Sequence, residues 1–173
     1  MHSGTTSFYP SSRPGAVTTA RAFLLVAGGG LRLALPVEAV GEIHRAARID
    51  ALPGAPAGVD GLANLRGRPL PVLDLRGLSG QRSIPNSPDQ QFVTILSERR
   101  PVLLRVDRAL DVVRLDPQSF HPVPVPLEGG DCLTAVAAME DDLLVVLDPE
   151  RVLSPEAADR LARALAVVEG ADG

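Results

Sequence analysis

The sequence predicts a mostly β fold, an all-β barrel or sandwich closed by a single terminal helix. Three observations carry this reading. Short runs rich in Val, Leu and Ile recur between residues 22 and 147, separated by Gly, Pro, Asn and Asp. Hydrophobic residues make up 45% of the 173, so the chain can bury a core and is not disordered throughout. Apolar spacing turns helical only near the C-terminal end, where Ala157, Leu161, Leu165 and Val168 form one stripe. No linker divides the chain, so two independent globular domains are not expected.

Residues 1–20, rich in Ser, Thr, Gly and Pro, read as a disordered tail, with the domain spanning residues 21–169. Arg13 and Arg21 before the apolar run Ala22–Ala27 superficially suggest a signal peptide. The run is short, and Gly28, Gly29, Gly30 and Arg32 follow it in place of a small-residue cleavage site. It reads better as a strand, a flexible glycine turn and a second strand, Leu31–Leu35. Pro36–Ala39 fits one helical turn, Val40–Arg45 an extended segment, and residues 51–60 a loop.

The stretch Gly61–Arg76, GLANLRGRPLPVLDLR, alternates apolar and polar residues on both sides of Gly67, the period of a strand hairpin. Gly67-Arg68 fits a two-residue II′ turn, in which Gly takes the first central position. Pro69 and Pro71 each lack a backbone donor, which places the second strand at an edge or a bulge. Residues 77–89 form a second loop. Strands follow over Gln91–Ser97, Pro101–Val106 and Arg108–Leu115. A Pro-punctuated loop, His121–Pro126, leads to a strand over Cys132–Met139. Glu140–Asp142 makes a charged turn, and Leu143–Leu147 reads as a strand buried on both faces. Ser154 then caps a helix that opens on Pro155 and packs its stripe onto the strands.

Composition excludes several function classes. Aromatics are 3% with no Trp, and the net charge is -4, both unfavourable to a nucleic-acid partner. No apolar run approaches the roughly 20 residues that span a bilayer, so no direct membrane insertion is expected. The single cysteine, Cys132, can form neither an internal disulfide nor a Cys-based metal site, and reads as a core residue of a cytoplasmic chain. His2, His44 and His121 are too scattered to suggest a metal. Gly77-Leu78-Ser79-Gly80-Gln81 falls short of a nucleophile elbow, because Gln81 stands where the second Gly belongs. The triple glycine lacks the context of a phosphate cradle. No enzyme and no cofactor are expected.

What remains is a set of polar residues in a strand-rich chain. Glu42 and Arg66 are candidates to pair across neighbouring strands and to shape a groove that a partner reads. Asn64 either satisfies backbone groups near the turn at Gly67 or touches a partner. Asp74 and Arg76 cap the strand's end and bond to the following loop, and Asp107 with Arg108 makes a structural turn. Val40 and Ile43 would ordinarily be core.

Asn64-Leu65-Arg66-Gly67, followed by a short apolar run and Asp74-Leu75-Arg76, resembles the central signature of CheW-like chemotaxis coupling proteins. Val40-Gly41-Glu42-Ile43, the approach Leu52–Pro56 and the pair of strands over Val106–Val113 match the same family in order, and the likeness runs from about Phe23 to Leu165. The resemblance implies two small five-stranded, SH3-like barrels packed across a shared apolar interface. It implies a non-enzymatic adaptor between the regulatory domain of a histidine kinase and the cytoplasmic tip of a chemoreceptor, cytoplasmic and recruited to membrane-associated receptor arrays. It assigns partner contact to Val40, Glu42, Ile43, Asn64 and Arg66, with Val40 or Ile43 in a groove between the subdomains. Gly67, Asp74, Arg76 and Asp107 become structural motif positions. No kinase, phosphoacceptor or receiver signature is present. The chain departs from the family in its all-glycine first turn, in Ser97–Pro101 and in the long segment before Ala22. The alternative is a small-barrel ligand-binding or regulatory module of another two-component or motility pathway.

Overall fold

The computed structural model describes residues 19–123 and 131–171. Of the tail expected over residues 1–20, residues 1–18 lie outside the described residues, as does the Pro-punctuated loop after residue 123, whereas Thr19 donates to Asp116 and the Ala20 carbonyl accepts from Arg114. In chain order the strands are β1 (Arg21–Gly28), β2 (Leu31–Pro36), β3 (Val40–Arg45), β4 (Val59–Leu65), β5 (Arg68–Asp74) and β6 (Gln91–Ile95). They continue as β7 (Val102–Val106), β8 (Arg108–Leu115), β9 (His121–Pro122), β10 (Leu133–Met139) and β11 (Asp142–Leu147). Helix α1 (Leu75–Leu78) is a single turn after β5, and α2 (Pro155–Ala171) follows the last strand.

These strands make two sheets. One runs β8-β1-β2-β11-β10-β9 and the other β3-β6-β7-β5-β4. Each is built from antiparallel neighbours plus one parallel contact, β2 with β11 and β5 with β7. The second sheet curls until its edges meet: after β3 the chain bridges to β4, with Asp50 and Leu62 exchanging two backbone hydrogen bonds of 2.7 and 2.8 Å. Gly61 makes that approach possible. At φ 151° a side chain there would be strained, and a Cβ would run into the Asp50 carbonyl oxygen.

Strand parity distributes the apolar residues among three cores. On β1, Leu24 and Val26 face the other sheet while Phe23 and Leu25 face the interior of their own. On β7, Leu104 and Val106 join the shared core, and Leu103 enters the second sheet's interior beside Phe92 and Val72. A strand at the junction therefore has no face left for water, which is why β1 reads as an apolar run and every residue of β7 is buried, Arg105 included. Helix α2 covers one further patch: Leu161, Ala164 and Leu165 pack on Leu52 and Leu62. Ser154 caps it as expected, its hydroxyl accepting from the Ala157 amide at 3.1 Å.

Three local expectations are corrected. The β4–β5 turn is centred on Arg66 and Gly67, at φ 53° and 82°, with Leu65 opposite Arg68. Two left-handed central residues mark a type I′ turn, whose twist suits a hairpin better than the II′ turn read one residue later. Strand β5 is not an edge: it lies between β7 and β4. Its prolines are tolerated because β7 pairs only with Val72–Asp74, leaving the first half of β5 with one neighbour. The glycine stretch is packed at its base, where a Cβ on Gly28 would lie 2.7 Å from the Leu75 side chain, while one on Gly30 would meet nothing within 4 Å. Leu143 is 62% exposed, because it sits at the outer end of its hairpin opposite the exposed Ala138.

One polar residue is buried among the apolar ones. Arg105 shares the inward parity of Leu103 on β7 and is 2% exposed. Its guanidinium donates to Asp60 at 3.1 Å, to Asp74 at 3.0 Å, to the Ser83 hydroxyl at 2.9 Å, to the Ile84 carbonyl at 3.0 Å and to Gln90 at 2.9 Å. Removing one partner from such a cluster strands the rest. Arg105→Met should lower stability by about 3–5 kcal/mol, read from urea midpoints. Burial holds the Asp60 carboxyl above its ordinary value, and nearby Asp74 adds to that, against the pull of Arg105. Folding thus favours the neutral acid, and this contribution to stability is lost as pH rises from 3.8 through the raised folded value. The stability of Asp60→Asn relative to wild type should increase with pH over that window and then level off.

Candidate partner-binding surfaces

Glu42 stands on β3 and Arg66 in the β4–β5 turn, with Nη1 3.2 Å from Oε1. The pair does not span neighbouring strands, because β3 and β4 are the two ends of the sheet. It spans the seam where the curled sheet meets itself. His44, two residues along β3, places Nε2 3.3 Å from the other Glu42 oxygen. The side chains of Glu42 and Arg66 are 59% and 77% exposed. An exposed ion pair contributes at most about 1 kcal/mol. Holding a non-glycine residue in the left-handed region costs about the same. Stability does not account for an arginine at this position.

Asn64 is exposed one residue before the turn's flank, opposite Pro69, and its amide bonds to no other described residue. Among the described residues it does not satisfy the backbone around Gly67.

The opposite parity of β3 builds a different surface. Ile43 lies opposite Val93 and is 41% exposed; Val93 belongs to the shared core. Directly opposed residues in an antiparallel pair share a face, so Ile43 opens onto the boundary between the sheets. Val40 has the parity of Glu42, but the β3–β6 register shifts between Val40 and Ile43, so it packs half-buried against the same core. Across the boundary, Val112 lies opposite the core residue Leu24 and is itself 55% exposed. The Ala109 amide donates to the Gln91 side chain at 2.6 Å, which ties β8 to β6 here. Val112 is missed by the sequence reading. Its signal was the Val residues spaced along 106–113, whose facing could not be told without the partner strand.

Behind these surfaces a polar joint links the sheets. Asp74 is buried and accepts from the Arg76 amide at 3.1 Å and from Ser83 at 2.6 Å, besides Arg105. Arg76 reaches Asp107 with Nη2 at 3.0 Å, and its Nε is buried without a partner among the described residues. Asp107 also accepts from Gln90 at 3.2 Å and from the Gly29 amide at 3.3 Å, while its own amide donates to Ala27 at 2.8 Å. One carboxylate thus fastens the β1–β2 turn of the first sheet to the α1 segment of the second.

Among the described residues no cluster of His, Cys, Asp or Glu could hold a metal ion. Cys132 is buried, and burial pushes its thiol up to about 11, far from a reactive thiolate. A cleft of about 600 Å³ lies beside Cys132, Leu73, Leu78 and the start of α2. No described helix is long and apolar enough to cross a membrane.

The family model for the CheW-like domain matches residues 22–157. Chemotaxis protein CheW of Klebsiella aerogenes is 27% identical over 142 residues, covering 80% of this chain and 85% of its own. Protein PilI of Pseudomonas aeruginosa is 42% identical over 104 residues, covering 59% of this chain and 57% of its own. In fold, the chain resembles the crystal structure of scaffolding protein TtCheW from Thermoanaerobacter tengcongensis. The TM-score is 0.69 at 20% identity, over 80% of this chain and 95% of that one.

The joint makes its own prediction. Asp107→Ala should accelerate hydrogen exchange at the Gly29 amide, which it holds directly, more than at the cores within either sheet, with a stability loss of about 1–3 kcal/mol. Uniform acceleration across the molecule would mean that Asp107 is not a local fastening.

Proposed function

Because the chain belongs to the CheW-like domain family, we propose that it is a non-enzymatic adaptor coupling the cytoplasmic tip of a chemoreceptor to the regulatory domain of a histidine kinase. The observation that carries this reading is the double use of β3. Glu42 and Ile43 are consecutive residues, yet one pairs with Arg66 at the seam of the second sheet and the other opens onto the boundary between sheets. Two chemically different surfaces, one charged and one apolar, therefore share a single strand.

An adaptor needs this arrangement. If the receptor tip docks on the apolar boundary around Val40, Ile43 and Val112, its contacts bear on the same backbone that presents Glu42. The kinase regulatory domain takes the Glu42–Arg66 end, with Asn64 beside it. A change in receptor state then reaches the kinase as a difference in binding free energy, of the order of 1–3 kcal/mol in typical coupled systems. The chain contributes no chemistry to that step. It contributes a rigid relation between two surfaces, maintained by the shared core and by the Asp107 joint.

The reading is tested with the receptor tip and the kinase regulatory domain from the same organism, each titrated against the purified chain. Ile43→Glu should weaken the receptor tip at least about tenfold, or about 1.4 kcal/mol, and leave the kinase domain within about twofold. Glu42→Arg and Arg66→Glu should each weaken the kinase domain, and the double exchange should recover part of the loss. If neither partner binds the folded wild-type chain, the adaptor function is wrong. Recovery absent from the double exchange would remove the pair from the interface.

A further inference from the structure

The end of the second sheet that carries Glu42 and Arg66 also carries a groove of about 280 Å³. Its floor is apolar, formed by Leu65, Leu70, Leu96 and Pro101. Leu96, at 45% exposure, is among the most exposed large apolar residues of the described chain. Gly41 keeps one wall open: a Cβ there would lie 3.2 Å from Thr94 and 3.5 Å from Leu96.

Four ionisable side chains line this groove: Glu42, His44, Arg66 and Arg68. Glu42 is already engaged on one oxygen by Arg66 and on the other by His44. No described carboxylate pairs with Arg68, which is left as the uncompensated cation at an apolar opening. Its position is also prepared by the chain. The type I′ turn fixes where β5 begins, and Pro69 confines the preceding residue to extended backbone, so Arg68 is held beside the groove with little backbone freedom. An arginine so placed offers paired donors to a carboxylate.

We propose that this groove receives an apolar side chain from a partner segment whose adjacent carboxylate pairs with Arg68, so that Arg68 selects for an acidic, apolar-anchored partner. The occupant follows from charge complementarity, since neutralising Glu42 within the protein leaves the groove cationic. Linking the segment to the kinase regulatory domain rests on the adaptor reading above; the chemistry of the groove does not. Pairing at a rim of this kind governs association rate and salt dependence as well as affinity, so binding should weaken as ionic strength rises.

Two short capped peptides test the chemistry directly, one with a leucine flanked by glutamates and the other with the glutamates replaced by lysines. In an NMR titration of the full chain at low salt, the glutamate peptide should shift the Leu70 and Leu96 methyls and the Arg68 Nε resonance. The lysine peptide should not. Arg68→Ala should weaken the glutamate peptide at least about threefold, and Arg68→Glu should abolish its binding, whereas Arg82→Glu, the same charge change on an exposed loop, should leave it intact. Equal response to both peptides, no response to either, or unchanged binding by Arg68→Glu overturns the proposal. The kinase regulatory domain supplies the second arm. Binding lost in Arg66→Glu but unaltered in Arg68→Glu keeps the adaptor and overturns the role of Arg68. Selective capture of the glutamate peptide without any kinase binding supports the groove and sinks the adaptor.

Discussion

The guanidinium of Arg105 is the interaction on which the second sheet depends. It lies on the inward face of a strand whose other inward residue is Leu103, at a depth where an unpaired charge would be untenable. Every donor it carries finds an acceptor, and the acceptors come from β4, the end of β5 and the loop before β6. Arg105 therefore adds a polar tie between segments whose apolar residues, Ala63, Val72 and Leu103 among them, already share a core. Burial is the main influence raising the Asp60 carboxyl, and the second carboxylate, Asp74, adds to it against the pull of Arg105. Such a cluster contributes definition of geometry more readily than net stability.

From this hub a polar path leads out of the second sheet. Gln90 accepts from Arg105 and donates to Asp107, and Asp107 holds the turn between β1 and β2. Around that path lies the shared core, in which Leu24, Val26 and Leu33 meet Leu104, Val106 and Val93. The apolar contact supplies the area and the polar path supplies direction, because hydrogen bonds to Asp107 tolerate little sliding of one sheet over the other. Gly28 belongs to the same arrangement: its missing side chain lets the turn settle against Leu75. Fastened in both ways, the two sheets have little freedom to shift against each other.

Those surfaces are products of strand parity and of one seam. Along β3, neighbouring residues face opposite directions, so a charged contact and an apolar one arise within two positions. The seam adds what parity alone could not, by bringing the two ends of the sheet within reach of each other. Arg66 then meets Glu42 across it, and the hairpin that carries Arg66 also positions Arg68 beside an apolar groove.

Much of this was legible in the residues. The alternation in Gly61–Arg76, the apolar run of β1, the cap at Ser154 and the change of period in α2 are local signals. Steric preference and side-chain spacing determine them before any tertiary contact forms. The resemblance in Val40–Ile43, Asn64–Gly67 and Val106–Val113 likewise identified the family. Tertiary structure alone decided which strands are neighbours, and with that the interior place of β5, the seam between Glu42 and Arg66 and the exposure of Val112. It also decided that a glycine turn would be packed at its base and that Arg105, Asp60 and Asp74 would meet. The physical reason is common to all of these. A period of two states which residues share a face, but it carries no information about what that face will meet. That depends on contacts between segments far apart in the chain, such as Asp60 and Arg105.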